Sequence, residues 1–358
     1  MSILNITDET PYYPAAVALE VTLRCNMRCL HCGSSATNRS RENELSLEEW
    51  KNIIDQLVKM GSEFITLSGG EPFVWPHWRE LSAHISKKGA ALSIISNGYN
   101  ISADDVKFLK ENKMWNVGLS LDGAKKTHDH IRQMNGSFDR VVKSISLFKE
   151  AGIKVGVSTS VNKLNFNELD EIKNIVDNLG VDIWQIQVVN SFGRAGDNKG
   201  SLAITQKQHK ELVDYIYKCQ QERKAGKLKV RPMPADSIGY CHTAAIDVWE
   251  DCEWGGCNAG RYVLGIQSDG SVSGCLSLQH KNFIVGNVRE RKLKDIWDDD
   301  NSFYYSRKFT VDKLCGSCAG CSAGSQCKSG CLAMGYSRTG ELYNNPYCYK
   351  HIIENGLC

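Results

Sequence analysis

Three cysteines stand within eight residues in the run Cys25-Asn26-Met27-Arg28-Cys29-Leu30-His31-Cys32, a CxxxCxxC spacing. Four-coordinate structural zinc usually draws on two CxxC pairs, or on a cysteine pair and a histidine pair. A [4Fe–4S] cluster usually takes four thiolates, so three local ones leave one iron open to a ligand that is not protein. An open iron is a place for chemistry. The same octapeptide also suits a Cys₃His zinc site completed by His31, or a closed cluster with its fourth ligand elsewhere. Of the fifteen cysteines, Cys219 stands alone and eleven fall from Cys241 onward. Their odd count and clustering point to metal rather than disulfides, as in a reducing compartment.

The elements that must hold this loop follow from periodicity. Ala16 to Thr22 is apolar and β-branched and runs straight into the loop. The spacing of Leu47, Trp50, Ile53, Ile54 and Leu57 predicts a helix over Ser46 to Met60, opened by a Ser46-x-x-Glu49 capping box. Strand-like and helix-like segments then alternate. Strands are expected at Phe64 to Leu67, Ala91 to Ile95, Trp115 to Leu121, Lys154 to Val161 and Asp182 to Val189. Helices are expected at His77 to Lys87, Ala103 to Glu111, Phe138 to Ala151, Glu168 to Leu179 and Gln206 to Gln221. Six βα units in series argue for an α/β fold, a partial (β/α)₆ TIM-like barrel with a parallel sheet. Ligands in such sheets gather at the carboxyl ends of the strands. Cys25, the Gly69-Gly70 pair, Asn97, Ser120 and Asp122 all fall there.

The pattern stops near Gln221, and Gln220 to Lys229 reads as a charged linker. Two domains are expected, 1–229 and 230–358, the second rich in Gly and Cys. The net charge of +2 and a hydrophobic content of 42% suit a globular enzyme and give no basic excess for nucleic acid. Met1 to Ala15 carries neither Lys nor Arg and no apolar core run, so it reads as no targeting signal. No window reaches the roughly 18 apolar residues of a membrane span. The expectation is a cytoplasmic protein.

CxxxCxxC after the first strand, with Gly69-Gly70-Glu71-Pro72 after the second, resembles the radical S-adenosylmethionine (radical SAM) superfamily over roughly the first 220 residues. The resemblance implies that Cys25, Cys29 and Cys32 hold a [4Fe–4S] cluster. Its open iron would be chelated by the amino and carboxylate groups of SAM, whose reductive cleavage gives a 5′-deoxyadenosyl radical. Gly69, Gly70 and Glu71 would line the cofactor, glycine allowing close backbone approach. Ser120 and Arg132 match positions that contact SAM in related enzymes, Arg132 being suited to a carboxylate. Asn97 is placed for a ribose or methionyl contact.

The later cysteines resemble the SPASM extension of these enzymes. Gly270 to Cys275 is a GxxxxC, followed by Cys318-x₂-Cys321-x₅-Cys327-x₃-Cys331 and then Cys348. By that resemblance, auxiliary cluster I would use Cys252, Cys257, Cys275 and Cys331, and auxiliary cluster II Cys318, Cys321, Cys327 and Cys348. Three [4Fe–4S] clusters would result. Crossed ligation of this kind occurs in two-cluster ferredoxins. Cys241 competes for cluster I and Cys315 for cluster II. Cys219 reads as a small buried residue and Cys358 as free.

SPASM proteins mostly act on peptides, and Cys29 to Ala36 looks most like the maturases of the mycofactocin and pyrroloquinoline quinone type. The resemblance implies crosslinking, thioether formation or oxidative decarboxylation of a ribosomally made precursor peptide. A separate presenting protein would bring the peptide, and a flavodoxin or ferredoxin would bring the electron. Leu276 follows Cys275 where anaerobic sulfatase maturases have an Asp base, which argues against that activity. The competing reading is a dehydrogenase or epimerase of a small polar molecule such as a sugar or aminocyclitol, held by Gln185, Gln187 and Asn190. Glu20, inside the barrel, is the candidate catalytic base. Phe303, Tyr304 and Tyr305 either pack beside Trp297 or line a substrate channel. An iron–sulfur electron carrier is a third reading, disfavoured because a carrier needs no SAM pocket.

Overall fold

The computed structural model describes residues 10–240, 248–249 and 254–357. Cys241, Cys252 and Cys358 lie outside the described residues.

The barrel strands are β1 (Ala16–Thr22), β2 (Phe64–Gly69), β3 (Ala91–Ser96), β4 (Asn116–Ser120), β5 (Lys154–Val161) and β6 (Ile183–Val188). They pair in parallel in sequence order. Between them run α1 (Leu47–Lys59), α2 (Trp78–Lys87), α3 (Ala103–Glu111), α4 (Lys125–Arg132), α5 (Ser137–Glu150) and α6 (Leu169–Asn178). Two short helices follow β6, α7 (Gly193–Asp197) and α8 (Lys199–Leu202), and then the long α9 (Gln206–Lys224). Local chemistry sets the starts. Ser46 with Glu49, Ser102 with Asp105, and Thr205 with Gln208 each form a two-way capping box that satisfies orphan amides of the first turn.

The sheet is wider than six strands. β7 (Arg231–Pro234) pairs in parallel with β6, from a stretch just past the expected linker. Its two prolines lack donors, which suits the outermost position. β8 (Val263–Ile266) pairs in parallel with β1 on the opposite side. β9 (Ser271–Ser273) and β10 (Ile284–Asn287) then continue as antiparallel strands. The order is β10-β9-β8-β1-β2-β3-β4-β5-β6-β7. The segment around Cys275 is thereby carried on the same sheet as the N-terminal cysteine loop.

Leu19, Ile65, Leu67, Leu92, Val117, Val155 and Trp184 are buried along the strands, facing Trp50, Ile54 and Phe148 of the helices or the barrel interior. Trp184 is satisfied through Nε1, which donates to Thr159 Oγ1 at 2.9 Å. Phe303 and Tyr305 are fully buried, with Phe303 against Trp297 at 5.2 Å between ring centres, so these two are packing, while Tyr304 is exposed. Among the described residues no helix is long and apolar enough to cross a membrane.

Candidate metal centre and active site

β1 delivers the chain into the cysteine loop, and β2 is laced to its entry. Gly70 N donates to Thr22 O and Glu71 N to Arg24 O, each at 2.8 Å. Glycine is what lets the two backbones come this close. A Cβ on Gly70 would stand 2.1 Å from Arg24 O, and one on Gly69, at φ +138°, would stand 2.3 Å from Thr22 O. The glycine pair therefore serves the protein's own loop as well as any ligand. Glu71 is buried and accepts from Ser96 Oγ at 2.8 Å, Asn97 N at 2.8 Å and Phe73 N at 3.2 Å. Burial pushes its pKa up to about 6 against the pull of these donors. Its carboxylate ties the exits of β2 and β3 together. Asn97 leans over the loop, with Nδ2 2.7 Å from Asn26 Oδ1 and 3.9 Å from Cys25 Sγ.

The far side of the loop is held by helix ends. Leu30 N donates to Ile131 O at 2.9 Å. Arg194 Nε donates to Cys29 O at 2.9 Å, and Asn198 Nδ2 to Leu30 O at 3.0 Å. Arg132, the last residue of α4, sends Nη2 to Asp122 Oδ2 at 2.6 Å and Nη1 toward Cys29 Sγ at 3.9 Å. His31 Nε2 meets the same Asp122 Oδ2 at 3.2 Å. Ser160 N donates to Asp122 Oδ1 at 2.8 Å. Burial pushes the Asp122 carboxyl up, but the charges of Arg132 and His31 outweigh it and hold it well below the usual range.

Burial pushes the Cys25 thiol up to about 12 and raises Cys29 as well. Such thiols ionise only when a strong cation compensates them, so the donor set suits iron or zinc. His31, the candidate fourth zinc ligand, holds Nε2 against the Asp122 carboxylate and leaves Nδ1 buried without a hydrogen-bond partner. Among the described residues no three His, Cys, Asp or Glu side chains converge as a single-ion site. One zinc ion needs that convergence. A four-iron cube spreads its thiolates over separate corners and does not. The loop thiols, with Cys25 and Cys29 raised by burial, are the donors such a cluster would use.

A cavity of about 230 Å³ opens beside the loop, lined among others by Glu20, His31, Ser160, Gln187, Asn190 and Gln279. No lysine or arginine lines it among the described residues. Leu276 and Ser277, directly after Cys275, also line it, so that segment borders the same space. Glu20 is held inside. Arg41 donates to it through Nε at 2.6 Å and Nη2 at 3.1 Å, and Ser268 through Oγ at 3.0 Å and N at 3.2 Å. Gln187 Nε2 donates to Ser160 Oγ at 2.8 Å. Gln185 accepts from Ser158 Oγ at 3.0 Å and does not line the cavity. Ser120 ends β4, half-buried.

The C-terminal thiols gather in two groups. Burial raises the buried Cys331 thiol well up, and the nearby Cys257 and Cys275 thiols add to it. Cys318, Cys321, Cys327 and Cys348 instead line a second cavity of about 370 Å³. Cys327 is raised by burial and then by Cys348, Cys318 and Cys321. Cys331 thus stands apart from its sequence neighbours. Cys315 Sγ donates to Leu342 O at 3.3 Å, and Cys219 is buried in the core. Residues that periodicity missed include Arg194, Asn198, Ser277 and Gln279. Arg194 carried a signal, since it follows β6 as polar punctuation follows β2, β3 and β4.

A family model described as the radical SAM superfamily matches residues 19–193, and one described as an iron–sulfur cluster-binding domain, SPASM, matches 257–322. Fe-coproporphyrin III synthase of Methanosarcina barkeri is 30% identical, over 93% of this chain and 87% of its own. Mycofactocin maturase MftC of Mycobacterium tuberculosis is 28% identical, over 89% and 78%. The crystal structure of Streptococcus suis SuiB bound to precursor peptide SuiA superposes with a TM-score of 0.74 at 19% identity, covering 94% of this chain and 76% of that one.

Proposed function

The chain belongs to the radical SAM superfamily and carries a SPASM iron–sulfur domain, and from that premise we propose that it modifies a ribosomally made precursor peptide. The proposed holoenzyme carries SAM and three [4Fe–4S] clusters, about twelve irons per chain. Cys25, Cys29 and Cys32 would hold the first. When bound, that cluster and SAM supply a 5′-deoxyadenosyl radical that abstracts hydrogen from a substrate C–H bond. Cys257, Cys275 and Cys331, with Cys252, would hold auxiliary cluster I, and Cys318, Cys321, Cys327 and Cys348 cluster II. Gly69, Gly70, Asn97 and Ser120 border the SAM position, while Glu71 braces it from behind. Glu20, fixed by Arg41 and Ser268, orients the cavity wall. A flavodoxin or ferredoxin supplies the electron, and a separate protein presents the peptide.

One observation carries the peptide reading. The cavity is walled by hydroxyl and amide side chains at β5 and β6, by Glu20 and His31, and by the segment after Cys275, with no lysine or arginine among the described lining residues. Such a wall suits a backbone or neutral side chain and gives an anionic substrate no lysine or arginine to pair with. SuiB, which shares the fold, has been crystallised with a precursor peptide. A second reading, a small molecule in place of the peptide, has its support in the Fe-coproporphyrin III synthase relative.

Anaerobic reconstitution followed by dithionite and SAM tests the proposal. Release of 5′-deoxyadenosine is expected, together with a mass change in a short peptide encoded beside the gene. A mass change in iron coproporphyrin or an aminocyclitol, with the peptide untouched, transfers the assignment to the second reading. No 5′-deoxyadenosine from a fully loaded enzyme leaves an electron carrier.

A further inference from the structure

Beneath the cysteine loop lies a buried line of polar contacts, Cys29–Arg132–Asp122–His31. We propose that Arg132 is a positioning residue for the loop cluster: its guanidinium, aimed by Asp122, donates to the Cys29 sulfur and raises the cluster's reduction potential. The proposal rests on the reading that Cys25, Cys29 and Cys32 hold that cluster.

The geometry is over-determined. Arg132 ends α4, and Gln133, at φ +52°, turns the chain away directly after it. Ile131 O accepts from Leu30 N at 2.9 Å, so helix end and cysteine loop are docked by backbone as well as by side chain. Asp122 is fixed by Ser160 N, and its backbone amide donates to His128 Nδ1 at 3.1 Å. The Asp122 side chain is fully buried, and those of Arg132 and His31 are 10% and 9% exposed. Arg132 does not close a two-pronged pair on the carboxylate. One nitrogen, Nη2, goes to Asp122 and the other, Nη1, points at sulfur.

The consequence follows from charge. Reduction adds an electron to the cluster, and a cationic donor on one thiolate favours the more negative state. Arg132 and Cys29 are buried, so solvent and salt screen the contact less than they would at the surface. Asp122 offsets part of the guanidinium charge but keeps Nη1 on the sulfur. The resemblance to related enzymes gives Arg132 a different task, binding the SAM carboxylate. The two tasks separate in enzyme free of SAM, where only the sulfur contact acts.

The test is an EPR-monitored redox titration of reconstituted, SAM-free full-length enzyme. The loop cluster is identified by the change in its signal when SAM is added. Arg132→Gln is expected to favour the oxidised state at least tenfold, a fall of about 59 mV for one electron. Arg132→Lys, which keeps a cation without the fork, should recover part of that shift. An unshifted R132Q potential with weakened SAM binding overturns the proposal in favour of the carboxylate task. An unshifted potential with unchanged SAM binding overturns it outright. If R132Q assembles no cluster, the wild type decides. Labelled with ¹⁵N-arginine and reduced without SAM, it should show a ¹⁵N electron–nuclear coupling that persists in Arg194→Lys, and its absence overturns the proposal. A wild type with no SAM-responsive four-iron signal refutes the cluster reading and this proposal together. A normal wild-type signal beside an unshifted R132Q refutes this proposal alone.

Discussion

Gly70→Ala should damage metal loading without touching a single cysteine. The added Cβ would lie 2.1 Å from Arg24 O and 2.5 Å from both Arg24 C and Leu23 O. All three are backbone atoms, so no side chain can swing aside. The chain must open by more than an ångström between the end of β2 and the loop entry. Overpacking of this kind costs about 1–3 kcal/mol. The opening also stretches the bonds from Gly70 N to Thr22 O and from Glu71 N to Arg24 O. At about 1 kcal/mol each they bring the total to roughly 3–5 kcal/mol. Domains of ordinary stability have about 5–15 kcal/mol in all. The displaced atoms belong to Arg24, immediately before Cys25, so the first thiolate shifts with them. Urea unfolding of the apoprotein and iron per chain after reconstitution are the two readouts. Gly200→Ala is the control, because nothing lies within 4 Å of its Cβ and it sits in a helix. That control should be neutral or slightly stabilising. A G70A protein with the wild-type midpoint and full iron content refutes the steric argument.

Two further outcomes are expected. Cys331→Ala and Cys327→Ala should each remove about four irons but quench different auxiliary signals, because Cys331 groups with Cys257 and Cys275 while Cys327 groups with Cys318, Cys321 and Cys348; loss of the same signal in both variants rejects the crossed grouping. The second concerns pH. Glu71 has a folded pKa of about 6 against an ordinary 4.5, so the native state binds its proton more tightly than the unfolded chain. The resulting stabilisation is complete below pH 4.5 and is lost as the pH rises through 6, about 2 kcal/mol in all. The apoprotein stability of wild type relative to Glu71→Gln should fall by that amount between pH 4.5 and 7, and a flat difference rejects burial as the dominant influence.

The barrel was legible wherever side chains repeat with a period. β1 and α3 begin and end at the expected residues: β1 is an apolar, β-branched run, and the Ser102–Asp105 capping box fixes the start of α3. α4 carried no such mark. Its buried positions are His128, Ile131 and Arg132, two of them polar, so no apolar stripe announces a helix. What holds it is tertiary. Asp129 accepts from Gly136 N at 2.7 Å and from Phe138 N and Ser137 Oγ at 2.8 Å, joining α4 to α5. The pairing of β8 with β1 joins residues too far apart in sequence for local pattern to reveal. The same holds for the cavity, whose lining unites β1, β5, β6 and the segment after Cys275. Spacing located the metal-binding residue types, and only three dimensions show which of them share a space.

The two cysteine regions would therefore meet metal on different terms. The N-terminal loop is fastened by four separate elements: Gly70 and Glu71 after β2, Asn97 after β3, Ile131 and Arg132 at the end of α4, and Arg194 on α7. Most of these contacts are hydrogen bonds to loop backbone, which need no metal to form. Such a loop is shaped in advance, and iron entering it has little ordering cost to meet. The segment Cys315 to Cys348 is different. Only short helices run through it, and four of its thiols, Cys318, Cys321, Cys327 and Cys348, line a cavity. There the free energy of binding metal is also free energy of folding. Removing iron should leave the barrel standing and loosen this segment first.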